Sequence, residues 1–513
     1  MLSTSIATVT ENIRAADLAA VLVFLAGMAA VGIYFAKRNN STEEYFLGNR
    51  SFPGWAVGLS MLGTSISSVT FLALPAAAFV LDYRQLVPNM MLPVIAVMAI
   101  VIFIPFFRRG KSTTAFEYLE NRYGKIVRYY AATSFVAMQL LRLATVLYLV
   151  SIPVAGMTGF NVIWVMIIGG IFIGFYTVLG GIEAVIWTDV VQTIILLLGG
   201  ILCLVFIASD LPGGFSEVFR IGAENHKFSL GPINWDLDKR TFFVMLLIGA
   251  INFTTAYSSD QNIVQRYLAS KSMREARKAT IICAIMSFPT WLAFFFLGTC
   301  LFVFYKAFPD PNITNMSAEA VLPHFILTRI PAGIAGVIIA ACLAAAMSSL
   351  DSSINAISTI LTVDFLKKIK PGCNDNFYLK WARVFAIFAG ISMIIGSVIL
   401  YKIPKESITD LQIIIGSLFG GGILTVFMLG FFTKRVGNKA LLCGLAVGLT
   451  LNLYLMCNYF NWLPKALTIN IHAYWTTVLV NLLVLVVAYA GAFLMPNRKR
   501  LEGMTVWTMP SQK

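Results

Sequence analysis

The sequence predicts an all-α polytopic membrane protein of about thirteen transmembrane helices, and three observations carry that expectation. Of its 513 residues 58% are hydrophobic and only 12% charged, with a mean hydropathy of +0.81, far too apolar for an ordinary soluble domain. Apolar runs of the roughly 20 residues that a bilayer crossing needs recur along the chain. The connections between those runs alternate in charge, as they do in a chain that weaves back and forth through a membrane.

Taken in order, the first run, 18–36, follows a polar segment, 1–17, that lacks the basic start of a cleaved leader. The second, 53–79, is interrupted by Gly63-Thr64-Ser65-Ile66-Ser67-Ser68-Val69-Thr70. Lipid offers hydroxyls and freed carbonyls no hydrogen-bond partner, so such a stretch at mid-depth must face protein, ions or solute. It is either a break whose unwound carbonyls can hold a cation or a small-residue packing face between helices. Runs at 86–107, 131–156, 162–179 and 185–208 follow. The seventh, 241–259, ends in Thr254-Thr255-Ala256-Tyr257-Ser258-Ser259-Asp260, five spans after the first interruption. Equivalent interruptions at that distance predict an inverted five-plus-five repeat with a site between its two first helices; alternatively, the second merely marks a span's end. Runs at 280–304, 332–363, 384–401, 411–432, 440–459 and 474–495 complete the series. The expected organisation is therefore a terminal segment (1–17), an accessory helix (18–36), a first repeat (53–208), a second repeat (241–432), two further accessory helices (440–495) and a tail (496–513).

Of the 38 Lys and Arg, 26 fall on one side of this weave and 11 on the other, with Arg142 alone inside a span. Because positive residues stay cytoplasmic, the chain is expected as a multi-pass protein of the cell (inner) membrane, N-terminus outside and C-terminus cytoplasmic. The net charge of +14 is then a topology signal spread over loops and not a nucleic-acid footprint. The seven cysteines form no CxxC pair, and His226, His324 and His472 lie in polar connections. A metal enzyme is therefore not expected, and neither a histidine pair nor a nucleophile–base arrangement supports an intramembrane enzyme.

Two intramembrane features remain. An arginine at mid-span, Arg142, costs about 2.5–3.5 kcal/mol even on lenient insertion scales. It is either a clamp for a solute carboxylate, since its planar fork binds one bidentately, or half of a structural pair with Asp189 or another acid. Gln139 shares its face. The ninth run contains Met347-Ser348-Ser349-Leu350-Asp351-Ser352-Ser353, in which Ser348 and Ser352, and Ser349 and Ser353, lie one turn apart. Clustered oxygens of this kind suit a small hard cation; the alternative is a packing face of back-bonded serines.

With these residues placed, the chain resembles the solute:sodium symporter family, of LeuT-like fold, over essentially its whole length. The resemblance rests on Glu43-Glu44-Tyr45-Phe46-Leu47-Gly48, Gly180-Gly181-Ile182-Glu183-Ala184-Val185-Ile186-Trp187-Thr188-Asp189, Gln261 with Gln265-Arg266, and Ser348-Ser349 with Thr362-Val363-Asp364. It implies a main sodium site made by the carbonyls of Gly63, Ile66 and Ala345 and the hydroxyls of Ser348 and Ser349. A second sodium site would use Asp189, Ser348, Asp351 and Ser352; Asp351 is a departure, a carboxylate where the family carries a hydroxyl, which either tightens that site or takes a proton. The Leu62–Phe71 stretch with Gln139-Leu140-Leu141-Arg142 is most similar to the bacterial sodium/sialic acid branch. By that similarity Ser65, Ser67, Thr70 and Arg142 would hold the carboxylate of a small anionic sugar acid, with Asn89 on its polyol or N-acetyl part. The expected partners are sodium ions, that solute and membrane lipid, and the expected state is a monomer. Rival expectations are a sodium-coupled carrier of a neutral sugar, inositol or monocarboxylate, and a sensor that keeps the fold without transport.

Overall fold

The computed structural model describes residues 13–36, 40–109, 112–236, 239–403, 420–460, 462–469 and 475–509. Among the described residues the chain is helical, with two isolated β-bridges and no strand. Among the described residues ten helices are long and apolar enough to cross a membrane, and Gly54–Ser65 with Thr70–Val80 make an eleventh crossing, bent by 52°. One of the ten, Val162–Asp210, has 49 residues. At about 1.5 Å per residue it would run roughly 70 Å, more than twice a bilayer's core. Gly181 turns the chain inside it with φ 56° and ψ −157°, so it supplies both expected runs, 162–179 and 185–208. Only glycine takes that backbone easily, and a Cβ there would lie 2.8 Å from the Tyr45 carbonyl oxygen.

Of the expected run 411–432, residues 411–419 lie outside the described ones; the remainder is the short apolar helix Ile423–Phe432. Counting that helix and the two halves of Val162–Asp210, each of the thirteen expected spans has a helical counterpart. Several helices outrun the apolar stretch that announced them: the fourth is Lys125–Thr158, the ninth Ile334–Ile369 and the tenth Asp375–Lys402. Hydropathy marks the part in lipid, whereas the helix continues through polar turns that pack on other protein. The first helix, Ala15–Ala36, likewise begins before the expected boundary at 17, and residues 1–12 lie outside the described ones.

Both expected interruptions are present as breaks. In the second span the helix Gly54–Ser65 stops, Ile66 (φ −104°, ψ 103°) and Ser67 (φ −98°, ψ 178°) are extended, and Ser68–Val80 resumes. A β-branched residue followed by a hydroxyl-bearing one suits a helix stop, since a helix restricts the first side chain and the second competes for backbone hydrogen bonds. In the seventh, Phe242–Ser259 ends at an extended Asp260, whose carboxylate accepts from the Asn262 N–H at 2.8 Å and caps a short helix, Gln261–Ala269. All nine residues of that short helix are buried. It therefore belongs to the packed interior, not to a loop.

The ninth span is the hub. In its most apolar window 83% of residues are buried, against 22–56% in the other nine long helices, and it packs along the sixth. Ala344, Ala345 and Ala346, all buried, allow that closeness. Its N-terminus is held from the first helix: the fully buried Asp17 carboxylate accepts from the Gly333 N–H (2.7 Å) and the Gly336 N–H (2.9 Å) and pairs with Arg14. At the other end of the bundle Arg128 donates to Asp364 (2.6 Å) and pairs with Glu120, which also takes Lys368 (2.9 Å). On the side opposite that network, Lys227 donates to the carbonyls of Phe79 (2.7 Å) and Leu81 (3.1 Å) and so closes the end of Ser68–Val80.

Asp17→Ala removes an acceptor for two helix-terminal N–H groups and leaves them buried, which costs about 1–3 kcal/mol. The expected outcome is a lower unfolding temperature in detergent, read by tryptophan fluorescence, with the sodium dependence of the remaining folded protein unchanged.

Candidate functional site

The first break frees the carbonyl of Thr64 and leaves that of Gly63 with a shared Ile66 N–H at 3.2 Å, where a continuous helix would have paired both with N–H groups four residues on. The ninth span meets them. Ser348 Oγ donates to Gly63 O at 3.0 Å and lies 3.2 Å from Ala345 O, while Ser349 Oγ reaches Thr64 O at 3.5 Å. Gly63 must be small, because a Cβ there would stand 2.5 Å from Thr193 Oγ1 of the sixth span. Four of the five expected main-site residues, Gly63, Ala345, Ser348 and Ser349, thus converge. Ile66 is buried beside them and spends its N–H on the carbonyls of Leu62 and Gly63; the carbonyl that Ser349 approaches is that of Thr64, which the sequence reading did not single out. Neutral oxygens gathered round a break are a ligand set for a small hard cation.

Arg142 lies between the two breaks. Its one hydrogen bond among the described residues is a long one, 3.4 Å, to the Thr64 carbonyl, and its charge faces Asp260 at the second break. The alternative of a structural pair with Asp189 is not what forms. Asp189, fully buried, is bound by Arg266 (Nη2 to Oδ2, 2.8 Å) and by the Ser60 hydroxyl (2.5 Å). Arg142 therefore keeps a half-buried guanidinium without an ion-pair partner among the described residues.

The expected second ion site forms one connected cluster. Arg266 Nη2 donates to Ser352 Oγ at 2.5 Å as well as to Asp189; Ser352 Oγ lies 2.5 Å from Ser348 O and 3.3 Å from Asp351 Oδ1; Tyr176 donates to Asp351 Oδ2 at 2.8 Å. Asp189 Oδ1 is buried with no hydrogen-bond partner among the described residues. Ser348 belongs to both clusters.

The expected solute residues are less tightly gathered. Ser65 Oγ folds back onto Met61 O at 2.9 Å, Ser67 sits at the start of Ser68–Val80 without a side-chain capping bond, Thr70 is buried in that helix, and Asn89 is half-buried in the turn Tyr83–Met90. A cavity of about 350 Å³ is lined by Gln139, Asn252, Thr255, Ser259 and Asp260 together with apolar groups such as Phe135, and by none of Ser65, Ser67, Thr70, Asn89 or Arg142. Its volume is at the lower end of the range for small-molecule sites, about 300–1,000 Å³. Gln139 connects it to Arg142, three residues on. Thr255, Ser259 and Asp260 stood in the quoted second interruption but were read only as a break, and Asn252 carried no signal.

A family model described as "Sodium:solute symporter family" matches residues 45–448. The "Sodium/sialic acid symporter NanT" of Aliivibrio fischeri is 31% identical over 481 residues, 93% of each chain. The "Sodium/sialic acid symporter SiaT" of Proteus mirabilis is 33% identical over 428 residues, 83% of this chain and 86% of that one. A solved structure described as the substrate-bound outward-open state of a Na+-coupled sialic acid symporter with a novel Na+ site superposes with a TM-score of 0.87 at 31% identity, covering 95% of this chain and all of that one. The paired breaks, the serine-lined carbonyls and these likenesses agree: the chain belongs to the sodium:solute symporter family.

Proposed function

We propose that the protein is a sodium-coupled secondary active symporter that imports a small anionic sugar acid, N-acetylneuraminate in the first instance, by alternating access. The observation that carries this reading is Arg142, a guanidinium at the meeting point of two broken helices whose one bond is long and weak. A solute carboxylate offers it two short charge-assisted bonds in place of that one. The names of the relatives, sodium/sialic acid symporters, support the same solute class.

In this reading the main sodium is held by the carbonyls of Gly63, Ile66 and Ala345 and the hydroxyls of Ser348 and Ser349, and a second by Asp189, Ser348, Asp351 and Ser352. Ser65, Ser67, Thr70 and Asn89 complete the solute site around Arg142. The repeats are 53–208 and 241–432, with 18–36 and 440–495 as accessory helices. The chain works as a monomer in the inner membrane, with 1–17 outside and 496–513 cytoplasmic, so the Arg128–Asp364 network is on the inner side and Lys227 on the outer. Sodium joining the second and ninth spans preassembles the break for solute, and its loss into a sodium-poor interior releases both.

The direct test is uptake of labelled N-acetylneuraminate into liposomes under an inward sodium gradient, with an equal potassium gradient as control. Accumulation above equilibrium with sodium alone is expected; uptake driven equally by potassium would refute the coupling. Ser349→Ala is expected to raise the sodium concentration for half-maximal uptake about tenfold, the equivalent of one lost ligand contact of about 1.4 kcal/mol. Arg142→Ala is expected to weaken anionic solute by at least about a hundredfold in equilibrium binding, on the strength of two charge-assisted bonds. Retained affinity in a folded variant would remove Arg142 from the site.

A further inference from the structure

Arg266 is 1% exposed and is used by nothing in the transport scheme above. It projects from the buried helix Gln261–Ala269, just past the second break, and ties four elements together. Its Nε donates to Ser60 Oγ in the first half of the broken second span (2.7 Å), its Nη2 to Asp189 Oδ2 in the sixth (2.8 Å) and to Ser352 Oγ in the ninth (2.5 Å), and its Nη1 to the Asn262 carbonyl of its own helix (2.7 Å). Two of those acceptors, Asp189 and Ser352, are also ligands in the second sodium site proposed above. The same cluster holds Asp351, whose hydrogen bonds come from neutral hydroxyls, those of Tyr176 and Ser352, and the buried Asp189 Oδ1, which has no partner among the described residues.

From this we infer that Arg266 is a built-in cation that competes with the second sodium for Asp189 and Ser352, a positioning residue that sets how tightly that ion is held. The inference rests on the second-site reading. Its physical basis is charge and shared ligands. With both carboxylates ionised the cluster holds two negative charges and one guanidinium, so one further monovalent cation neutralises it. An ion placed against Asp189 Oδ1, Asp351, Ser348 and Ser352 then borders the guanidinium across a common carboxylate and a common hydroxyl, in an interior where like charges are poorly screened. Each cation weakens the other's hold, and the weakening is reciprocal. Ser60 and the Asn262 carbonyl keep the guanidinium nearby when it yields Ser352, so it returns when sodium leaves, and the cluster never carries two unbalanced carboxylates. Because Arg266 is anchored past one break and bonded to the first half of the other broken span, arrival and departure of the ion are felt at both.

The sign is the test, because a residue that only held the fold would weaken sodium binding when removed. Sodium-dependent thermal stabilisation and sodium release rates are measured on purified full-length protein for wild type, Arg266→Gln and Asp189→Asn. Arg266→Gln is expected to lower the half-saturating sodium concentration by about fivefold or more, within the usual range of coupling between sites, and to slow sodium release. Asp189→Asn is expected to raise that concentration and to lower the Hill coefficient. Unchanged or weakened sodium affinity in Arg266→Gln, with Asp189→Asn impaired as expected, would overturn the competition while leaving the second site standing. An Asp189→Asn protein with wild-type sodium response would remove the site and the inference together. If Arg266→Gln does not fold, Arg266→Lys decides: its shorter side chain stops short of the Nη2 position from which Asp189 and Ser352 are both bonded, so tighter sodium binding supports the competition and unaltered or looser binding refutes it.

Discussion

A membrane interior supplies no water to a carbonyl that has lost its helix, and the centre of this protein is built around two whose helical bonds are lost or loosened. Once Ile66 and Ser67 leave the helix, the Gly63 oxygen keeps only a shared Ile66 N–H at 3.2 Å and the Thr64 oxygen must be met by something else; an unmet carbonyl costs several kcal/mol. Serines at 348 and 349 supply the hydroxyls. To deliver them the ninth span must come close, which explains its run of alanines and its burial, and Gly63 must carry no side chain because Thr193 already fills that space. Small residues, serines and break form one solution to one hydrogen-bonding problem. The same solution leaves a cluster of neutral oxygens that a sodium ion can use.

Charge is handled by a related logic. Arg128 is closed by Asp364 and Glu120, and Arg266 by Asp189 with two serines and a carbonyl. Buried ion pairs add little net stability over apolar packing of the same volume, so their presence speaks for where helices must sit and not for how stably they sit there. Arg128 joins span four to span nine, and Arg266 joins the segment after span seven to spans two, six and nine. Arg142 differs. It is as central as either, yet among the described residues it makes one long hydrogen bond, to a carbonyl, with its charge facing Asp260. A charge this loosely engaged at mid-depth is costly, and in the proposed scheme a solute carboxylate supplies the partner that the Thr64 carbonyl does not.

Much of this was legible in the chain because the bilayer writes strong constraints into composition. Thirteen apolar runs, a hydroxyl-rich gap in the second and its counterpart in the seventh follow from what lipid forbids. Arg266 was not legible in the same way. It lies in Gln261–Ala269, a segment too polar to register as a span, so a linear reading counts it among loop cations although all nine of its residues are buried. Arg128 was counted as a loop cation for the same reason and is buried too. Hydropathy sees lipid exposure and is blind to polar groups that satisfy one another inside protein. The motif Gln265-Arg266 was noticed as part of a resemblance, but its chemistry depends on Ser60, Asp189 and Ser352, which are distant in sequence. Gly181 shows the opposite case, since a single residue with φ 56° divides what is otherwise one continuous helix, and the glycine pair at 180–181 marked the place.

In the proposed scheme, coupling between ion and solute has a concrete locus in the Thr64 carbonyl. One oxygen accepts from Arg142 at 3.4 Å and from Ser349 at 3.5 Å, so the proposed solute clamp and an expected sodium ligand lean on the same lone pairs. Both contacts are long, near the limit of a hydrogen bond, and both are therefore given up at small cost. A cation drawn to the break through Ser349 turns that hydroxyl's oxygen toward itself and polarises the carbonyl, while a carboxylate at Arg142 withdraws the guanidinium from it. Each ligand relieves the other's competition for a shared atom, and relief of this kind is positive coupling that acts equally in both directions. In that scheme no movement of a distant element is needed to make sodium and an anionic solute prefer each other's company. Movement is needed only to decide which side of the membrane sees them, and the breaks that created the site are also the joints about which its halves can turn.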